Sequence, residues 1–248
     1  MIKFQKQDLA LLKYLHAVKV ATYKQIHRDI YPEYSFRSVR NRVIKLSHHG
    51  LVSGNHDRLG LIDGKSLSLT KKGFTQFVSN GEETRIELKS EALQHDIDLV
   101  DIRASFLRIP RFLEYHTENQ IQTWWQLSHD DLAKKSMVHI NSDALALVSF
   151  KKDNLWVAIE YESAAKSAAR YEPVVKKYYA NQDITLILYV CSEQCILNKI
   201  MKAEKQLYDS EYPKFFYQLK QKLTSSEALV FYNFNNRILQ FEAAASDA

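Results

Sequence analysis

Ser35-Phe36-Arg37-Ser38-Val39-Arg40-Asn41-Arg42-Val43-Ile44-Lys45-Leu46-Ser47-His48-His49-Gly50 is the stretch on which the fold turns. Ser35 has the chemistry of an N-cap, since its hydroxyl can accept from the free amides of a first helical turn, and Gly50 tolerates the left-handed conformation that ends a helix. Between them Phe36, Val39, Val43 and Leu46 fall at i, i+3, i+7 and i+10, which makes one narrow stripe for burial. At about 100° per residue the opposite face carries Arg37, Ser38, Asn41, Lys45 and His48, with Arg40 and Arg42 on its flanks. That face has no carboxylate, and its side chains suit phosphates and base edges.

Upstream, Gln7–Val18 reads as a helix with Leu9, Leu12 and His16 on one stripe and Leu11 and Leu15 beside it. A second helix opens at Thr22, with Gln25 three residues on in capping-box spacing; Tyr23, Ile26 and Ile30 form its apolar face, and Pro32 stops it. Downstream, Leu51–Gly54 reads as a short strand and Ser66–Leu69 as its partner. The loop between them holds His56, Arg58, Asp63-Gly64 and Lys65, the make-up of a basic wing, and Thr70 caps a fourth helix. Three helices, a two-stranded wing and a return helix within residues 1–80 resemble the winged helix–turn–helix family. The resemblance implies a DNA contact in which Arg37, Ser38 and Asn41 meet base edges. Arg40, Arg42 and Lys45, with Arg58 and Lys65 of the wing, would meet phosphates, and His48 shares the face. A winged helix that only docks protein, its basic face solvated, is the alternative.

Charge divides the chain. Residues 1–80 carry 14 Lys/Arg against 5 Asp/Glu, whereas residues 81–248 carry 20 against 24, so a basic module precedes a mildly acidic one. A basic module of this kind is suited to a polyanion. With 46% hydrophobic and 25% charged residues the chain is ordinary for a packed protein, and 6 Gly and 4 Pro exclude collagen-like and low-complexity readings. The longest apolar run, Ile184–Cys191, is far too short for a membrane span. The start of the chain lacks a signal-peptide core, and two cysteines make no disulfide framework, so the expectation is a cytoplasmic protein without membrane contact. Cys191 and Cys195 would be half a metal site, but no second pair completes it, and reduced thiols are the better reading.

Ser79-Asn80-Gly81-Glu82-Glu83-Thr84 reads as the boundary. Beyond it a helix is expected over Ala92–Ile109 with Leu93, Ile97, Val100, Ala104 and Leu107 inward. Strands follow near Leu113–Thr123, Ala144–Phe150 and Leu155–Glu162, then a helix over Ala164–Ala180, a strand at Ile184–Val190 and a helix near Gln194–Tyr208. Strands around Leu229–Phe234 and Ile238–Phe241 close the series. The order predicts a two-domain α/β protein: 1–80 winged helix–turn–helix, 90–242 α/β domain, and 243–248 a flexible tail.

The winged-helix order followed by Leu93-Gln94-His95-Asp96, Ser142-Asp143-Ala144 and Ile159-Glu160-Tyr161-Glu162 resembles the replication–relaxation family of plasmid and mobile-element proteins. The resemblance implies a second domain like the PD-(D/E)xK nuclease fold. Asp143 matches that pattern's first acid, although Ser142 stands where Pro is usual. Glu160 matches the second, and Glu162 replaces the usual Lys on the same strand face. Three carboxylates then converge, to be neutralised by a metal, by protonation, or by solvent. Lys166, four residues after Glu162, could supply the missing ammonium. The implied function is a sequence-specific accessory or regulatory protein on double-stranded DNA, acting in mobilisation and as an autorepressor. It would bind an inverted repeat as a homodimer and meet a relaxase or replication protein, with no cofactor. The alternative is a metal-dependent endonuclease using Mg²⁺ or Mn²⁺ at Asp143, Glu160, Glu162 and Lys166.

Overall fold

Helix α1 (Lys6–Val18) turns Leu11, Leu12 and Leu15 fully inward, each worth roughly 1.5–3 kcal/mol on burial. In the computed structural model, which describes residues 3–56, 65–83, 85–124, 139–150, 153–208, 211–225 and 227–242, the chain divides into two compact units. The first is Met1–Asp101 with Gln122–Gln126, and the second is Ile102–Ile121 with Leu127–Ala248. The expected 243–248 tail and the wing tip at 57–64, with Arg58, lie outside the described residues.

In the first unit α1 is followed by β1 (Ala21–Thr22), α2 (Tyr23–Ile30) and α3 (Phe36–His48), then β2 (Val52–His56), β3 (Lys65–Leu69) and α4 (Lys71–Phe77). Thr22 and Gln25 form the capping box: the Gln25 amide donates to Thr22 Oγ1 at 3.3 Å and the Thr22 amide to Gln25 Oε1 at 3.0 Å. Ser35 caps α3 through its hydroxyl, and Gly50 follows α3 at φ +70°, where an L side chain would be strained. The strands make an antiparallel sheet in the order β1-β3-β2, with Ala21 opposite Leu67 and Val52 opposite Leu69. Thr70 caps α4 and ties it to the turn between α3 and β2, because its hydroxyl also donates to the Gly50 carbonyl at 2.6 Å. Gly73 lets α4 approach that turn, as a Cβ there would stand 2.4 Å from the Leu51 carbonyl oxygen.

Three details of the expected stripes are corrected. Phe36 and Leu9 are exposed (38% each), so the α3 stripe is Val39, Val43 and Leu46 alone. Phe36 instead meets the edge of His27 on α2, with ring centroids 5.7 Å apart. Helix α5 (Leu93–Leu107) exposes Leu107 and buries Ile97, Val100, Ile102 and Phe106. The start of α5 belongs to the first unit, where Gln25 donates to the Ile97 carbonyl at 2.9 Å and Arg28 pairs with Asp101 at 2.8 Å.

The second unit is a seven-stranded mixed sheet, ordered β10-β9-β8-β7-β6-β5-β4. Its strands are β4 (Phe112–Thr117), β5 (Ala144–Phe150), β6 (Asp153–Glu162), β7 (Ile187–Cys191), β8 (Phe215–Leu219), β9 (Leu229–Tyr232) and β10 (Ile238–Phe241). The β6–β7 and β7–β8 pairs are parallel and the others antiparallel. The sheet curls until rings on its two edge strands touch: Phe112 of β4 lies 4.9 Å from Phe241 of β10. Phe106 of α5 packs in the curl against Phe112 at 4.8 Å and Phe231 at 6.1 Å. On the other face α7 (Ala168–Ala180) and α8 (Gln194–Leu207) cover Leu145, Ala158, Ile187, Tyr189 and Phe215.

Residues 118–123, expected as strand, form helix α6 (Glu118–Thr123). Thr117 and Gln120 cap it reciprocally, at 3.1 and 3.4 Å. Helix α7 begins at Ala168 rather than 164, which leaves Lys166 in the preceding loop, and β7 begins at Ile187 rather than 184. Phe215–Leu219 is a strand outside the expected series, and α9 (Lys220–Ser225) follows it. Among the described residues no helix is long and apolar enough to cross a membrane.

Candidate functional site

Two places carry chemistry, one in each unit. In the first, α3 presents Arg37, Ser38, Arg40, Asn41, Lys45 and His48 to solvent, all exposed and none acidic. The face is held rigid by the buried stripe behind it and by Arg42, which departs from the expected role. Arg42 is not a free cation. Its Nε donates to Asp8 Oδ1 at 2.8 Å, and its Nη2 donates to Asp8 Oδ2 and, at 2.8 Å, to the Lys3 carbonyl. Asp8 is fully buried and also accepts from the Gln5 amide at 2.7 Å and from Tyr31 OH at 3.4 Å. A buried carboxylate needs such partners, because an unpaired one costs several kcal/mol. Burial and the adjacent Asp8 together push the Tyr31 phenol above its ordinary pKa. Lys65 lies on β3, but its side chain, like Arg58, is outside the described residues.

In the second unit the register brings the expected acids together. Ala144 pairs with Ile159, so Asp143, one residue earlier, comes beside Glu160 of the antiparallel neighbour. Asp143 Oδ2 accepts the Tyr161 amide at 2.7 Å. Glu160 and Glu162 share the face covered by α7, two residues apart on β6. There Tyr178 OH donates to Glu160 Oε1, and Lys166 Nζ lies 2.5 Å from Glu162 Oε2. The loop position of Lys166 still lets it reach back across four residues. Burial, and then the negative Asp143, hold the Glu160 carboxyl well above the ordinary carboxylate range. The Tyr178 hydrogen bond and Lys177 and Lys166 act in the opposite direction without overcoming it.

Each acid therefore has its own protein partner, and one resists ionisation. Among the described residues no three His, Cys, Asp or Glu side chains are grouped so as to hold one metal ion. Tyr178 is nearly fully buried and serves Glu160, while Lys177 donates to the Ile140 carbonyl. The sequence reading missed Asp8 as the partner of Arg42. An Asp in the first turn of α1 signals an N-terminal cap, but nothing local signals an arginine 34 residues away. His95 and Asp96 are adjacent on α5 with a long 3.4 Å approach, and both cysteines are free, Cys191 buried and Cys195 exposed.

A family model described as Replication-relaxation matches residues 12–183. No curated protein and no solved structure matches the chain.

Proposed function

The chain belongs to the replication-relaxation family, and from that membership and the α3 face we propose that it is a sequence-specific double-stranded DNA-binding accessory or regulatory protein of a plasmid or mobile element. The first unit acts as a winged helix that sets α3 in the major groove. The observation that carries this reading is the acid-free exposed face formed by Arg37, Arg40, Asn41, Lys45 and His48 on a helix that is capped and backed by core. Arg pairs well with guanine and Asn with adenine, at about 1–3 kcal/mol of discrimination per good bidentate contact. The second unit serves self-association or partner docking. As a homodimer the protein reads an inverted repeat with half-sites about 10 bp apart or a multiple of it.

The test is duplex binding as a function of salt. Each neutralised phosphate contributes a log–log slope of about −0.9. Salt-independent binding, or binding unaffected by Arg37→Ala and Arg40→Ala together, refutes the reading.

A second reading, metal-dependent cleavage, is favoured by one observation: Asp143 lies beside Glu160, and Lys166 reaches Glu162. The partnered carboxylates argue against it. Supercoiled plasmid with Mn²⁺ decides: nicking that disappears in Asp143→Ala and Glu160→Ala establishes cleavage.

A further inference from the structure

A recess of about 410 Å³ opens where the N-terminal end of α1, the α2–α3 turn and one flank of α3 meet. Its polar lining is Gln5, Tyr34, Ser38, Asn41, Arg42 and Lys45. Val39 and Tyr31, both nearly fully buried, close it from below. Asp8 and the Lys3 carbonyl hold the Arg42 guanidinium in place through Nε and Nη2, and Nη1 has no hydrogen-bond partner among the described residues. Lys45 and Asn41 are exposed and make no side-chain hydrogen bond or ion pair among the described residues. No carboxylate is among the lining residues, and Glu33 of the adjoining turn is not one of them.

The charge balance identifies the ligand class. Asp8 cancels Arg42, so Lys45 leaves the recess one net positive charge, surrounded by a guanidinium edge, two amides and the Tyr34 and Ser38 hydroxyls. A group with one negative charge and several acceptor oxygens matches that set, whereas a base edge wants donors and acceptors in balance. The geometry points to a seat for one phosphodiester of the DNA backbone, which rests on the DNA-binding reading above. On the helical wheel Ser38 and Lys45 lie on the α1 side of α3. Asn41 stands with Arg37 and His48 opposite the buried stripe, where it borders the recess, and Arg40 is on the far flank. With the front of α3 in the major groove, the recess meets the backbone of one strand. Tyr34 and Gln5, outside the helix, join the interface, and Ser38 moves from base reading to phosphate binding. The seat fixes the register in which Arg37 and Asn41 meet the bases.

The test uses the full chain and a duplex selected from a randomised pool, with Lys45→Gln and Tyr34→Phe as variants. Lys45→Gln should weaken binding about 5- to 10-fold and flatten the log–log salt slope by about 0.9, one phosphate's worth. Tyr34→Phe removes a hydrogen bond without a charge, so affinity should fall about 3- to 5-fold with the slope unchanged. Urea unfolding should match wild type for both, which separates a contact from a folding defect. Methylphosphonate placed at successive positions neutralises single phosphates. At one position per half-site its loss and that of Lys45→Gln should fail to add. Additivity at every position, with duplex binding intact, overturns the seat and leaves the proposed function standing. Competition by millimolar inorganic phosphate that is lost in Lys45→Gln also overturns it, because the recess then holds a small anion rather than a strand. Absence of duplex binding by the wild-type chain defeats the DNA reading and the seat with it.

Discussion

One substitution at Arg42 tests whether its pair with Asp8 holds the first unit together. Arg42→Met keeps the length of the side chain and deletes three hydrogen bonds, two to Asp8 and one to the Lys3 carbonyl. What remains for the fully buried Asp8 carboxylate is the Gln5 amide at 2.7 Å and a weak contact from Tyr31 at 3.4 Å. Removing one partner of a buried pair costs about 3–5 kcal/mol. The Arg42 side chain is 18% exposed, so water can partly replace it and the lower end applies, about 3 kcal/mol. The reverse change, Asp8→Asn, leaves the cation near solvent and should cost less, about 1–2 kcal/mol. The Asp8→Leu/Arg42→Met double variant should fall well short of the summed single losses, because no buried charge is stranded. Lys176–Glu172, an exposed pair at 3.5 Å, provides the control, with Lys176→Met expected to cost under about 1 kcal/mol. Urea unfolding of the full chain, read by helical circular dichroism, gives the midpoints, and unchanged slopes show that the unfolding reaction is the same. An Arg42→Met protein within about 0.5 kcal/mol of wild type in urea would refute the reasoning.

Two further outcomes are expected. Gly73→Ala, which in an open helix would be mildly stabilising, should instead cost about 2–3 kcal/mol, since its Cβ meets the Leu51 carbonyl oxygen at 2.4 Å; a neutral result in thermal unfolding contradicts the close packing of α4. Glu160 has a folded-state pKa above its unfolded value, so it favours the folded state least at high pH, and its contribution is lost as pH rises from about 5 through the raised value. Glu160→Gln should therefore gain about 1 kcal/mol or more over wild type at pH 8 and lose that advantage near pH 5, one pKa unit being worth about 1.4 kcal/mol. A stability difference that does not vary with pH would show that the carboxyl is ionised in the fold.

The parts legible in the sequence are those fixed by neighbours a few residues apart. Ser35 and Gly50 bracket α3, Thr22 and Gln25 open α2, and the apolar stretch Ala144–Phe150, broken only by Ser149, is a strand from end to end. Helix α6 was also written locally: Thr117-Glu118-Asn119-Gln120 has capping-box spacing, and the preceding β-branched and aromatic residues hid it by extending the strand pattern. Strand β8 was concealed because a short run opening with three aromatic residues serves equally as core or strand until its partners are known. The Arg42–Asp8 pair and the Tyr178–Glu160 bond were beyond reach, since each joins residues on elements whose packing no periodicity specifies. The carboxylates of β6 lay between these cases. Period-two alternation placed Glu160 and Glu162 together, but the proton on one and the ammonium on the other depend on what α7 and its leading loop bring over them.

The meeting of Phe112 with Phe241 bears on how the protein is made. A seam between the first and last strands of a sheet is a long-range contact, and its loop-closure entropy must be spent before the contact returns anything. During synthesis at about 5–20 residues per second, the interval between Gln126, which completes the first unit, and Phe241 is on the order of 10 s. Throughout that interval the nascent second unit holds Phe106 and Phe112 without their final cover, whereas the first unit has every residue it needs. A premature stop just before β10 would therefore leave an open-edged sheet. Such a chain would be lost to proteolysis or aggregation rather than persist as a shortened but working protein.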